Sequence, residues 1–138
     1  MTHEELLIIK AELTNDPLNL GLTVAPEDDE QNANLLNEVS DSILVDRASI
    51  PSDSIRINID EYSAASAGNQ KWLDGQLADG SVNPAVIRED VYKMFGAGTE
   101  TRASFDAVST EPASRARQLL GRYINLTPSD TANARQAT

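Results

Sequence analysis

The chain has little of the side-chain chemistry on which most enzymes depend. It contains no cysteine, a single histidine (His3), and among 138 residues only one Trp, three Tyr and two Phe. The absence of cysteine excludes disulfides and thiolate metal sites, and it favours a reducing compartment. Because aromatic side chains bury the largest area per residue, their scarcity predicts a core with few large groups and modest stability.

Positive charge is also scarce in the first half of the chain. Residues 1–62 hold 14 acidic against 3 basic side chains, whereas residues 63–138 hold 8 of each, so the net charge of −11 lies in an acidic N-terminal half and the C-terminal half is neutral. Nucleic-acid backbones are bound by clustered Lys and Arg, so we expect no direct nucleic-acid contact. Without a basic leader or a long apolar run, we expect a soluble intracellular product with no membrane contact.

Candidate catalytic groups do not form a convincing set. His3 stands near the start of the first predicted helix, and the pairs Asp60–Glu61 and Glu89–Asp90 are adjacent residues that would not face each other on a helix. Gly96–Thr99 precedes a helix, as a phosphate loop does, but it has no following Lys and no preceding strand, so a corner between two helices is favoured. The sequence predicts a protein that is not an enzyme, with no catalytic, metal-binding or cofactor-binding residue and no cofactor.

Short helices are predicted along most of the chain. Thr2 and Glu5 form a capping box, Asn83 followed by Pro84 is a strong helix start, Pro112 favours another, and Thr127 with Asp130 forms a second capping box. These signals predict one all-α domain over residues 1–138, an irregular bundle of about six short helices.

One short extended segment is possible near residues 42–59. Residues 43–45 could form a short strand, and Ile55, Ile57 and Ile59 alternate as they would in a strand. Ile55, Ile59 and Tyr62 also have helical spacing, and this helix is the favoured interpretation.

Two charged clusters are candidate contact surfaces. A candidate docking face is basic and lies on or near one predicted helix: Arg115, Arg117 and Arg122. A candidate acidic face lies at the start of another: Glu27, Asp28, Asp29 and Glu30. Each cluster also has a simpler interpretation. The arginines could form ion pairs within the domain, and the sole role of the carboxylates could be to stabilise the start of a helix. Complementary charge between such faces would set register and association rate.

Several motifs together resemble a known group of proteins. The stretches are Asn15-Asp16-Pro17-Leu18-Asn19-Leu20-Gly21, Met94-Phe95-Gly96-Ala97-Gly98-Thr99, Ser114-Arg115-Ala116-Arg117-Gln118-Leu119-Leu120-Gly121 and a closing segment over residues 130–135. Their order and spacing are similar to those of small, uncharacterised virion-region proteins of tailed bacteriophages. The chain departs from that pattern at residues 63–69, which are more polar.

The resemblance implies a role in a phage particle and carries over no catalytic residue. We expect a non-enzymatic structural or accessory component of the neck, tail or tail-fibre/baseplate region, made in the host cytoplasm and contacting other virion proteins or copies of itself. The alternative is an assembly chaperone or an acidic host-directed inhibitor that is not retained in the particle.

Overall fold

The computed structural model describes all residues, Met1–Thr138, and its fold is mixed α/β. Eight α-helices are accompanied by two 3-10 turns and two small antiparallel sheets, with 59% of the residues helical. The prediction of an all-α bundle of about six helices is therefore wrong. The helices are α1 His3–Asn15, α2 Asp29–Asn37, α3 Ile59–Ala64, α4 Ala67–Leu77, α5 Pro84–Met94, α6 Glu100–Ser109, α7 Arg115–Leu120 and α8 Pro128–Gln136.

The four strands are short and pair in twos. β1 (Val39–Asp46) pairs with β4 (Thr110–Ser114), and β2 (Ile50–Pro51) pairs with β3 (Ser81–Val82), where Ile50 faces Val82 and Pro51 faces Ser81. The strand partners come from distant parts of the sequence, and local periodicity contains no information on such pairing. This is the physical reason why the strands were missed or, for residues 43–45, underestimated in length.

The chain divides into two compact units. Unit 1 is formed by both ends of the chain, Met1–Leu44 and Pro112–Thr138, and unit 2 is the continuous segment Val45–Glu111. β1 and β4 contain the two points at which the chain passes from one unit to the other. The prediction of a single domain over residues 1–138 stays a prediction.

Unit 1 packs α1, α2, α7 and α8 around a core of aliphatic and small side chains. The close packing of α8 depends on alanine and threonine, because Ala134 and Thr131 are fully buried. The Thr131 hydroxyl also donates to the Asp29 carbonyl at 2.7 Å. The core residues are Ile9, Leu13, Leu22, Ala33, Leu36, Ala116, Leu126 and Ala134.

The turn after α1 is built around one carboxylate. Asp16 adopts a left-handed conformation with φ 39°, and its side chain accepts hydrogen bonds from the amides of Leu20, Gly21 and Leu22 at 2.8, 2.9 and 3.2 Å. Gly21 has φ 93°, which favours glycine. The segment from Asn15 to Gly21 is thus a folding element of this chain.

Unit 2 has the larger side chains. Phe95 and Phe105 are 2% and 0% exposed, and Tyr92 meets the Phe105 ring edge-on with centroids 6.4 Å apart. The buried cluster is Ile50, Ile55, Leu73, Val82, Ile87, Val91, Phe95 and Phe105.

Helix starts were predicted well where the signal is local. Both capping boxes, at Thr2 and at Thr127, are present with reciprocal hydrogen bonds, and the Asn83 side chain caps α5. Two of the predicted helix starts were wrong. Residues 55–58 are not helical, and α3 begins only at Ile59. Pro112 lies in β4, so α7 begins after Ser114, whose hydroxyl accepts from the Arg117 amide.

Candidate functional site

The candidate docking face is partly engaged inside unit 1. The Arg115 guanidinium makes two parallel hydrogen bonds to Glu12, Nε to Oε1 at 2.6 Å and Nη2 to Oε2 at 2.9 Å. The two side chains are only 14% and 5% exposed. This bidentate pair joins α1 to α7 and leaves Arg115 little freedom to bind another molecule.

The other two arginines lie nearer to solvent. Arg122 pairs with Glu5 in the same bidentate manner at 3.0 and 3.1 Å, and this hydrogen bonding, the largest influence on the pKa of Glu5, lowers that pKa. The Arg117 guanidinium lies 3.8 Å above the ring of Tyr123, a cation–π geometry. The docking role of these arginines stays a prediction. Because Arg115 and Arg122 pair with glutamates of the same chain, Arg117 and the adjacent Tyr123 are the residues to test for it.

The acidic run is divided between internal and external roles. Asp29 pairs with Arg135 at 3.0 and 3.2 Å, and Asp28 accepts from the Thr23 hydroxyl at 2.8 Å. Glu27 and Glu30 instead line a shallow groove of about 350 Å³ along α2. The remaining residues of this acidic groove are Gln31, Asn34, Leu35 and Glu38.

The glycine corner does not present an open anion site. The first amides of α6, those of Glu100 and Thr101, donate to the two Glu61 carboxylate oxygens at 2.8 Å each. Thr99 occupies the N-cap position without a side-chain cap, so Glu61 from α3 takes that role. The chain therefore fills with its own carboxylate the position that a phosphate would need.

Local backbone geometry and hydrogen bonding account for Gly98 and the capping carboxylate of this corner. A Cβ atom on Gly96 or Gly98 would meet nothing within 4 Å, so close helix approach does not explain these glycines. Gly98 is required by its φ of 87°. Burial alone would raise the pKa of Glu61, but the hydrogen bonds from Thr101 and Glu100 outweigh it and lower that pKa.

An apolar groove in unit 2 was not predicted. It has a volume of about 290 Å³ and lies between the start of α3, the extended segment before it, and α4. Five of its six lining residues carry large apolar or aromatic groups. They are Ile57, Ile59, Tyr62, Leu73, Asp74 and Leu77.

The polar group of this groove is fixed in place. The Tyr62 hydroxyl donates to the Asp74 carboxylate, with distances of 2.9 and 2.8 Å to its two oxygens, and this bond is the main reason why the pKa of Tyr62 is raised. A carboxylate with two oxygens still has lone pairs for a further donor. The groove therefore offers an apolar floor beside an anionic acceptor.

Two apolar side chains stand out by their exposure. Ile59, at the groove, and Tyr123, beside Arg117, are each 76% exposed, the highest values among the large hydrophobic residues. The sequence signal for this groove is the run of three alternating isoleucines, Ile55, Ile57 and Ile59. Only Ile55 is buried, so the segment contains more apolar side chains than the core of unit 2 accommodates.

Comparisons with family models, with curated proteins and with solved structures find no match. His3 is exposed in the first turn of α1, and no group of three or more His, Cys, Asp or Glu residues is placed to hold a metal ion. No helix is long and apolar enough to cross a membrane.

Proposed function

We propose that this chain is a non-enzymatic structural or accessory component of a tailed-phage virion, acting through protein–protein contacts in the neck, tail or tail-fibre/baseplate region. The placement in a particle is supported by the motif resemblance described above. The mode of action is supported by one structural observation, the open apolar groove with Ile59 at its edge. Exposed apolar patches beside polar residues are typical of protein-binding surfaces.

Particle composition tests this proposal. Virions are purified through two density steps, and the chain is quantified by mass spectrometry with isotope-labelled peptides against the major capsid protein. We expect a fixed copy number per particle that does not fall with further purification. Absence from the particle, or a ratio that declines at each step, would contradict the structural role.

A second candidate follows from the acidic groove of α2. Three carboxylates, Glu27, Glu30 and Glu38, surround this groove, and such a surface suits the basic groove of another protein. An assembly chaperone or host-directed inhibitor would use it without remaining in the virion. The same measurement separates the two candidates, because the chaperone or inhibitor is abundant in infected cells and missing from purified particles.

A further inference from the structure

We propose that the apolar groove of unit 2 binds a second copy of this chain, through the Tyr123 side chain and the Arg117 guanidinium stacked on its ring. The contact is head-to-tail, since one copy contributes the groove and the other contributes the tyrosine. The inference rests on the proposed role as a contact-forming subunit and names its partner.

The groove and Tyr123 are complementary in their apolar chemistry. The groove has a floor of isoleucine and leucine side chains and a Tyr ring, which suits a flat aromatic group. Tyr123 is the one aromatic side chain that is exposed, as the other five are buried or half-buried. Insertion of Tyr123 beside Ile59 would cover the two most exposed large apolar groups of the molecule together.

The two surfaces also carry charges of opposite sign. The groove includes the Asp74 carboxylate, and the exposed Asp60 directly follows Ile59. Tyr123 has a positive group against its ring, because the Arg117 guanidinium stacks on it, whereas the preceding Arg122 is paired with Glu5. The carboxylates of Asp74 and Asp60 at the apolar groove attract the Arg117 guanidinium beside Tyr123, and this attraction fixes the register of the contact.

The groove and Tyr123 are different surfaces, so one copy can offer its groove to one neighbour and its tyrosine to another. The two surfaces lie in different parts of the chain, so the same contact can be repeated from one copy to the next. A heterologous contact of this kind produces closed rings when its rotation closes and filaments when it does not. Either product is a multi-copy assembly, as the proposed virion role requires.

Two variants disable the contact from opposite sides. Ile59→Asp places a charge in the groove at the first residue of α3, where an acidic side chain suits the helix start. Tyr123→Ser removes the aromatic group from an exposed loop position. Val86→Asp is the matched control, because Val86 is 71% exposed in the first turn of α5 and does not line the groove.

Sedimentation velocity and light scattering over a range of protein concentrations give the result. We expect the wild-type chain and V86D to form species larger than a dimer at high concentration, and I59D and Y123S to weaken association on the order of thirtyfold, as loss of an interface hot spot does. An equimolar mixture of I59D and Y123S should form a dimer and nothing larger, because one intact groove and one intact tyrosine remain. Raising the salt concentration should weaken the wild-type assembly without abolishing it.

Several outcomes would overturn the inference. These are a wild-type chain that stays monomeric, association that both variants leave unchanged, or a mixture that stays monomeric, which would show that the groove and Tyr123 do not bind each other. Circular dichroism checks that each variant is folded, and Ile59→Ser replaces I59D if that variant is not. Failure here is distinct from failure of the proposed function, since a monomeric chain can still be found in virions and a self-associating chain can be absent from them.

Discussion

The two units are stabilised in different ways although they are similar in charge. Unit 2 contains five of the six aromatic residues, including both buried phenylalanines, and is continuous in sequence. Unit 1 has no aromatic residue in its core and joins the two chain ends through ion pairs of Arg115, Arg122 and Arg135. Large apolar groups thus stabilise one unit, whereas small-residue packing and charge pairs complete the other.

The charge asymmetry along the sequence does not become an asymmetry between the two folded units. Unit 1 holds 11 acidic and 5 basic residues and unit 2 holds 11 and 6, so the net charge of −11 is shared almost evenly after folding. Three arginines of the C-terminal half form ion pairs with carboxylates of the N-terminal half: Arg115 with Glu12, Arg122 with Glu5 and Arg135 with Asp29. Part of the charge asymmetry along the sequence therefore serves the pairing of the two chain ends within unit 1.

We expect the largest loss of stability from a substitution in the core of unit 2. Phe105→Ala removes a fully buried ring and should lower the free energy of unfolding by about 3–5 kcal/mol. Denaturant unfolding followed by the fluorescence of Trp72, which lies in unit 2, measures this loss. The exposed Val86→Ala serves as control and should change stability by less than about 0.5 kcal/mol. Equal losses in the two variants would contradict the assignment of Phe105 as the centre of this core.

We expect the second-largest loss of stability when the buried ion pair of unit 1, Arg115 with Glu12, is broken. Arg115→Met leaves the Glu12 carboxylate buried without its partner and should cost about 3 kcal/mol, whereas the double variant Glu12→Met/Arg115→Met should recover most of that loss. Hydrogen exchange of the α8 amides reports on unit 1. Arg122→Met is the control: its pair with Glu5 is more exposed, so it should lose much less. If the double variant is no more stable than R115M, the cost does not come from the unpaired carboxylate.

Sequence reasoning succeeded where a signal and its effect lie within one helical turn. The capping residues Thr2, Asn83 and Thr127 act on amides two or three positions away, and all three begin helices as predicted. It failed where the partner is remote. Nothing near Ile50 indicates that it pairs with Val82, and nothing near Pro112 indicates that β4 finds β1.

The candidate site was predicted only in part, for the same reason. Pairing of the arginines within the domain was one of the open interpretations, but the choice of Glu12 for Arg115 depends on a contact 103 positions away in sequence. The apolar groove was missed because Ile57 and Ile59 were assigned to a strand or a helix by periodicity, whereas α3 begins in the middle of this segment. The sequence signal that could have indicated the groove is that Ile55, Ile57 and Ile59 together supply more apolar side chains than one buried face can cover.

The smallest effect concerns Glu61, whose charge caps α6. Its folded-state pKa is lowered, so its stabilising contribution is present above the ordinary value of 4.5 and is lost as pH falls through the folded pKa. We expect the amide proton shifts of Glu100 and Thr101, followed by NMR, to titrate with an apparent pKa below 4.5. Glu61→Gln should abolish this titration and weaken α6 only slightly, because the amide oxygen still accepts one hydrogen bond. The neighbouring Asp60→Asn should leave both shifts titrating as before, and a wild-type titration above 4.5 would contradict the cap.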